Sequence, residues 1–364
     1  MIKLKIKIYK DYLLLIFKMD TQILNFNLNS KSSKPKKKIN FLKIKTNRIY
    51  LPWVEKYRPQ KLNDLILDDI TNNKMKNFLV NKELSNMIIT GHPGTGKTST
   101  ILCLAREVYG KSYDEAVIEY NASDNRGLET INNSIIYFCK KKVKTENNLP
   151  KLIILDEADN ITKKAQNTLC NLMETYIKTT KFVLTCNDYN KLVEGIQTRC
   201  LIIRYKSLPK DVIKERLKYI CNKEKISYKD EGLEAIVFIS QGDIRLAINC
   251  LESTYFGFNE ITYDNVYKIC EKPPQIQITT LINMCLAGSL KEAVNAILKL
   301  KENGYCNNDI LLTVINVLKE IPIDESSRIN MMEIASNAYM ITNDGVDTDL
   351  QLLKCICDFY ELSK

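Results

Sequence analysis

Eight consecutive residues carry the strongest chemical signal in the chain. Gly91-His92-Pro93-Gly94-Thr95-Gly96-Lys97-Thr98 fits the pattern G-x-x-x-x-G-K-[ST]. Glycines let a loop curl until its N–H groups face phosphate oxygens, and a helix starting there adds its positive end. Lys97 has the reach for the β- and γ-phosphates, and the Thr98 hydroxyl suits a Mg²⁺ ion held beside them. The cradle extends to Ser99. His92 occupies a variable loop position, where a surface residue is expected rather than a catalytic base.

Two acids form the second constellation. Leu152-Ile153-Ile154-Leu155-Asp156-Glu157 reads as a buried strand ending in carboxylates. Asp156 would hold Mg²⁺ through water, and Glu157 would polarise the attacking water. A strand-end helix cap would explain the acids alone; the upstream phosphate loop favours hydrolysis. Asn187 follows the β-rich run 181–186. At the tip of a neighbouring strand it either orients water near the γ-phosphate or satisfies a turn.

Such groups need a scaffold that brings strand ends together. Short β-rich runs fall at 86–90, 116–120, 152–155, 181–186 and 201–205, with helix-compatible stretches at 98–109, 127–142 and 165–176. Five strands with helical crossovers predict a parallel sheet covered on both faces. The runs are mostly apolar rather than strictly alternating, as doubly buried strands should be. Beyond Ser207 the pattern is helix only: 209–224, 230–240, 243–256 and 262–270. Pro273-Pro274 breaks the chain, and a last helical block spans 275–362. The expected order is an extension over 1–48, an α/β domain over 49–206, a small helical domain over 207–272 and a helical tail domain over 273–364.

Composition bounds the rest. The 364 residues suggest two or three domains, and 45% hydrophobic content excludes a wholly disordered chain. The apolar run 13–17 is far shorter than the roughly 20 residues of a membrane helix. No small-residue cleavage pattern follows it, so neither a membrane span nor a secretory signal is expected. Residues 1–48 hold 13 Lys/Arg and 2 Asp, while 49–364 hold 40 Lys/Arg and 41 Asp/Glu. The net charge of +10 therefore belongs to the extension, and the body is neutral. Nucleic-acid contact there needs a local basic surface. Lys34-Pro35-Lys36-Lys37-Lys38 is compatible with a nuclear import address or with a solvated tail, and Met19 is a second candidate start. The 12 cysteines include no C-x-x-C pair and His92 is the only histidine, so zinc spacing is absent. Small buried thiols in a reducing compartment are the expectation.

From Leu51 onward the motifs form a set. Leu51-Pro52-Trp53-Val54-Glu55-Lys56-Tyr57-Arg58-Pro59 resembles the opening signature of the small subunits of replication factor C, the eukaryotic clamp loader. The phosphate loop, Asn121-Ala122-Ser123-Asp124, Leu155-Asp156-Glu157-Ala158-Asp159, Gln197-Thr198-Arg199-Cys200 and Gly242-Asp243-Ile244-Arg245 follow in that family's order. Residues 230–236 and 252–258 narrow the resemblance to the branch numbered 2 in humans and 4 in budding yeast.

The resemblance implies an AAA+ fold: a P-loop domain with a five-stranded parallel sheet, an all-α lid and an all-α collar. It implies an ATPase in a heteropentamer with other replication factor C subunits. That assembly opens the PCNA sliding clamp and loads it on primer–template DNA in replication and repair, in the nucleus. By the same resemblance Arg199 acts in trans as an arginine finger on a neighbour's ATP. Arg245 senses phosphate in its own site, and Val54, Tyr57, Arg58 and Pro59 flank adenine. Arg126, with Thr162 and Lys163, faces duplex phosphates.

The sequence departs from the family pattern in places. His92 stands for a usual proline, Thr198 for serine, Asn125 for a common acid, and Cys170-Asn171 for an Arg-Arg pair. The last change removes two positive charges from the expected inner surface. Two other functions compete: an ATP-binding structural subunit that hydrolyses little, and a helicase, since Asp156-Glu157-Ala158-Asp159 spells the DEAD tetrad. A helicase of that type needs a second sheet domain, whereas this chain offers one followed by helices.

Overall fold

The computed structural model describes residues 51–81, 84–122, 128–143, 145 and 149–362. The extension 1–48, Arg126 and Asn125 lie outside them. A short helix, α1 (Trp53–Lys56), and α2 (Asp69–Asn81) precede the sheet. The α/β part then runs β1 (Met87–Gly91), α3 (Lys97–Tyr109), α4 (Tyr113–Ala116), β2 (Val117–Asn121), α5 (Leu128–Lys140), β3 (Lys151–Asp156), α6 (Lys163–Thr175), β4 (Thr180–Cys186), α7 (Glu194–Gln197) and β5 (Leu201–Tyr205).

The five strands are parallel, in the order β2-β3-β4-β1-β5. Side chains alternate between faces with period two, yet both faces are apolar. On β3, Leu152 and Ile154 join a core with Leu104, Val108 and Tyr109 of α3, while Ile153 and Leu155 join one with Phe138 of α5 and Met173 of α6. Burying each such side chain is worth about 1.5–3 kcal/mol, so either face exposed to water would be costly. The expectation of doubly buried strands holds for β1, β3 and β4 but fails at the edges. On β2 only Val117 is fully buried, and on β5 Leu201 and Arg204 are exposed, because no strand lies beyond them.

A lysine that the motifs do not mark closes one seam. Lys151 is buried, and its Nζ donates to the carbonyls of Phe138, Cys139 and Lys141, each at 2.7 Å. Those carbonyls end α5, where a cation offsets the helix dipole. The start of β3 is thereby pinned to α5.

The second helical set is α8 (Lys210–Glu224), α9 (Asp230–Ser240), α10 (Ile244–Phe258) and α11 (Tyr263–Cys270). It is not helix only. Ser227–Tyr228 pairs in parallel with Glu260–Ile261, a two-residue ladder too short to leave a periodic signal. The third set is α12 (Gln275–Leu286), α13 (Leu290–Glu302), α14 (Asn307–Leu318), α15 (Glu325–Asn343) and α16 (Asp349–Leu362). Its own core holds Leu281, Ile310, Met331 and Phe359, and Phe238 of α9 reaches into it. The described residues contain one α/β sheet, not the two a DEAD-type helicase needs. No described helix is long and apolar enough to cross a membrane.

Candidate functional site

The carboxyl ends of β1, β3 and β4 lie side by side, the usual ligand edge of an open parallel sheet. From β1 the chain passes into the glycine loop. Gly94 and Gly96 adopt φ of 68° and 88°, a region that side chains with a Cβ enter at a cost. Gly96 caps α3 without a side-chain bond, so the first N–H groups of that helix face outward. A Cβ built on Gly96 would meet nothing within 4 Å, so the loop mouth has room for a phosphate.

Gly94 is tight where Gly96 is open. A Cβ there would fall 1.7 Å from Asp243 Oδ1. That oxygen is engaged, accepting from the N–H groups of Arg245 (2.8 Å) and Leu246 (3.0 Å) to cap α10. Gly94→Ala should therefore strain the loop by about 1–2 kcal/mol and displace a cap worth about 1 kcal/mol. We expect a lower melting temperature and at least about tenfold weaker ATP binding by calorimetry. Wild-type values for both would contradict the close packing of loop on lid.

Lys97 Nζ donates to Gly91 O (2.7 Å), His92 O (2.9 Å) and Asn187 Oδ1 (2.9 Å). Burial lowers its ammonium below the ordinary lysine range, with Arg245 adding to that, while Asp156 and Asp159 pull the other way. Thr98 Oγ1 donates to both carboxylate oxygens of Asp156 at 3.0 Å, and Thr185 Oγ1 donates to one of them. A hydroxyl and a carboxylate so placed are hard oxygen donors, the set that Mg²⁺ prefers. Glu157 is exposed at φ 53°, and Asn160 Nδ2 donates to its Oε2 at 3.3 Å. The Asn187 N–H donates to Asp159 Oδ2 at 3.3 Å. Lys97 with Asn187, and Thr98 with Asp156, thus form two hydrogen-bonded pairs, with the Asp156 charge acting on the Lys97 ammonium between them.

A cleft of about 730 Å³, mouth included, opens beside this cluster. Gly94, Thr95, Gly96 and Ser99 line it together with Val54, Tyr57, Arg58 and Pro59, and Ile244, Arg245 and Ile248 come from the lid. Gly91, Lys97 and Thr98 stand at the cluster. His92 and Pro93 are exposed and face a second cleft toward Lys210, Lys272 and Glu320.

The remaining expected residues sit elsewhere. Arg199 does not line the cleft: its Nε donates to Glu174 Oε1 at 2.8 Å and its Nη1 to Gly195 O at 2.7 Å. Cys170 is half-buried against Gly195 beside that guanidinium, and Asn171 is exposed. Thr162 and Lys163 are exposed at the first turn of α6, which has no side-chain cap. Sequence reasoning does not single out Thr185 or Arg216, and it quotes Asp243 only as part of a motif, without its packing on Gly94. A Thr inside an apolar strand was the available signal for the first; the second lies in a helix that looks ordinary until folded.

Residues 87–208 match the family described as ATPases associated with various cellular activities, and residues 215–256 match a replication factor C-type AAA+ lid domain. Residues 273–358 match the replication factor C C-terminal domain. Replication factor C subunit 4 of Schizosaccharomyces pombe is 39% identical over 308 residues, covering 84% of this chain and 90% of that protein. The chain belongs to the replication factor C small-subunit family.

Subunit 4 of Saccharomyces cerevisiae is 38% identical, covering 88% of this chain and 98% of its own. Subunit 2 of Arabidopsis thaliana is 38% identical, covering 83% and 90%. Among solved structures, Thermotoga maritima RuvB is similar at 16% identity and a TM-score of 0.49, covering 70% of this chain and 90% of that one. Membership makes this chain an AAA+ ATPase and a subunit of a multi-subunit clamp loader, and the helicase and inactive-subunit readings are not favoured.

Proposed function

We propose that this chain binds ATP with Mg²⁺ in the cleft between its glycine loop and lid. It hydrolyses that ATP within a heteropentamer that opens PCNA and places it on primer–template DNA, in replication and repair in the nucleus. One observation supports this above the others. Lys97, Thr98, Asp156 and Asn187 converge at three adjacent strand ends, and lid-borne Arg245 lines the cleft beside them.

In this reading the N–H groups of the glycine loop from Gly94 to Ser99 hold the phosphates, and Lys97 exchanges its loop carbonyls for phosphate oxygens. Thr98 and Asp156 would hold the metal, which when bound would supply positive charge beside the phosphates. Glu157 accepts the water proton, Asn187 orients that water, and Arg245 contacts phosphate from the lid. Val54, Tyr57, Arg58 and Pro59 flank adenine. Arg199 serves the adjoining subunit. Thr162 and Lys163 offer a helix N-terminus and an ammonium to DNA phosphates without reading bases, and the family resemblance adds Arg126 as a further phosphate contact.

The test is affinity purification of the full chain followed by native mass measurement. Four co-purifying AAA+ chains, with PCNA recovered when ATP is present, is the expected result. A lone monomer that unwinds duplex DNA would overturn the proposal.

A further inference from the structure

The segment that flanks the base end of the cleft is held by the lid, not by the sheet. Trp53 is 3% exposed, and its indole lies in the lid core among Leu217, Ile236 and Leu251. The Trp53 N–H donates to Glu252 Oε2 at 3.0 Å, and Glu252 of α10 is itself buried. Four residues on, Tyr57 gives its hydroxyl proton to Glu224 of α8, and Lys56 pairs with the same carboxylate. Arg216 of α8 donates to Tyr57 O at 2.8 Å.

Then the attachment changes sides within two residues. Arg58 Nε donates to Ser99 Oγ at 3.4 Å, Cys103 Sγ to Pro59 O at 3.2 Å, and Leu62 N to Glu107 Oε1 at 2.7 Å. All three partners are on α3, which springs from the phosphate loop. Residues 53–57 are thus tied to the lid and 58–62 to the sheet domain, and the change falls at Arg58-Pro59, inside the cleft wall.

We propose that Glu252 and Glu224 are positioning residues for ATP: they make residues 53–57 a strap of the lid and so set the grip on the base without touching the nucleotide. This rests on the reading of the cleft as the ATP site. Neither carboxylate lines the cleft. Both act through the backbone and hydroxyl groups of the strap. A hydrogen bond to a charged acceptor is worth more than one between neutral groups, and Glu252 makes its bond in a buried setting. Lid and strap then shift as one body against the loop, so base contact and Arg245 arrive at the nucleotide together.

Trp53 is the only tryptophan, which makes its emission a direct report on the strap. The full chain is titrated with ATP, with GTP and with inorganic tripolyphosphate, and acrylamide quenching of Trp53 is measured in parallel. Glu252→Ala is expected to weaken ATP binding about tenfold, to narrow the preference of ATP over GTP, and to raise Trp53 quenching. Its tripolyphosphate affinity should stay at the wild-type value, because that ligand meets the glycine loop and Arg245 and has no base for the strap to grip. Glu252→Gln keeps an acceptor oxygen and should restore all three readouts. In the assembled pentamer the loss should fall on KM for ATP rather than on kcat.

Glu224→Ala, which empties no lid core, serves as the second variant should Glu252→Ala fail to fold; about fivefold weaker ATP binding is expected from it. Wild-type ATP affinity in a folded Glu252→Ala or Glu224→Ala overturns the strap. So does an equal loss for ATP and tripolyphosphate. A wild-type chain that binds none of the three ligands overturns instead the reading of the cleft.

Discussion

Arg199→Ala is expected to leave this subunit's own ATP affinity intact and to slow hydrolysis at the neighbouring site by about 10³–10⁵-fold. The geometry separates Arg199 from its own cleft, since it is bound to Glu174 and Gly195 and lines none of the wall. Its side chain is 39% exposed and that of Glu174 is 55% exposed. A pair this wet is worth little, so releasing the guanidinium to another subunit's phosphate costs little. Lys97→Ala makes the opposite pattern: it removes the cation from the centre of this subunit's own cluster and should impair ATP binding here. The measurement is single-site turnover in pentamers reconstituted with either variant, with nucleotide binding measured separately. The assembly's total rate falls less than the affected site, because other sites continue. If Arg199→Ala abolished this subunit's own ATP binding and spared its neighbour, the assignment in trans would be wrong.

The sheet was legible because β1, β3 and β4 are apolar on both faces, and a run such as 152–155 has few other uses in a chain that alternates with helices. The glycine loop was legible because phosphate binding needs backbone conformations that few residues supply. What stayed hidden depended on distance in the chain. Glu252 lies 199 residues from Trp53, and nothing in a helix ending Glu-Ser-Thr-Tyr-Phe-Gly-Phe marks which backbone its carboxylate meets. Asp243 looks like an ordinary helix cap, which it is; that it also packs on Gly94 is a property of the folded lid. Lys151 reads as a polar residue before a strand, whereas it is buried on three carbonyls. The edge strands misled in the other direction. Each carries a charge within its run, Glu119 in β2 and Arg204 in β5, which an otherwise apolar composition masks, and position in the sheet sets how much of a strand is covered.

Glu157→Gln is expected to bind ATP within about twofold of the wild type and to hydrolyse it about 10²–10⁴-fold more slowly at this site. The backbone at Glu157 is left-handed, with φ at 53°, a conformation that costs a residue with a Cβ about 1–2 kcal/mol. That turn carries the side chain off the line of β3 and leaves it exposed, held by Asn160 Nδ2 and with its own N–H on Asp156 Oδ1 at 3.2 Å. Glutamine retains the shape and an acceptor for Asn160, so the turn and the neighbouring Asp156 should not move. Only the charge that accepts the water proton is lost. Asp156→Asn differs, because it weakens the pairing with Thr98 and with it the metal site; that variant should bind Mg·ATP less well and respond to added Mg²⁺. The two carboxylates are therefore separable by titrating Mg²⁺ against single-site turnover in the pentamer. A Glu157→Gln subunit that hydrolyses ATP at the wild-type rate would remove Glu157 as the base, and a loss that added Mg²⁺ reverses would reassign it to the metal.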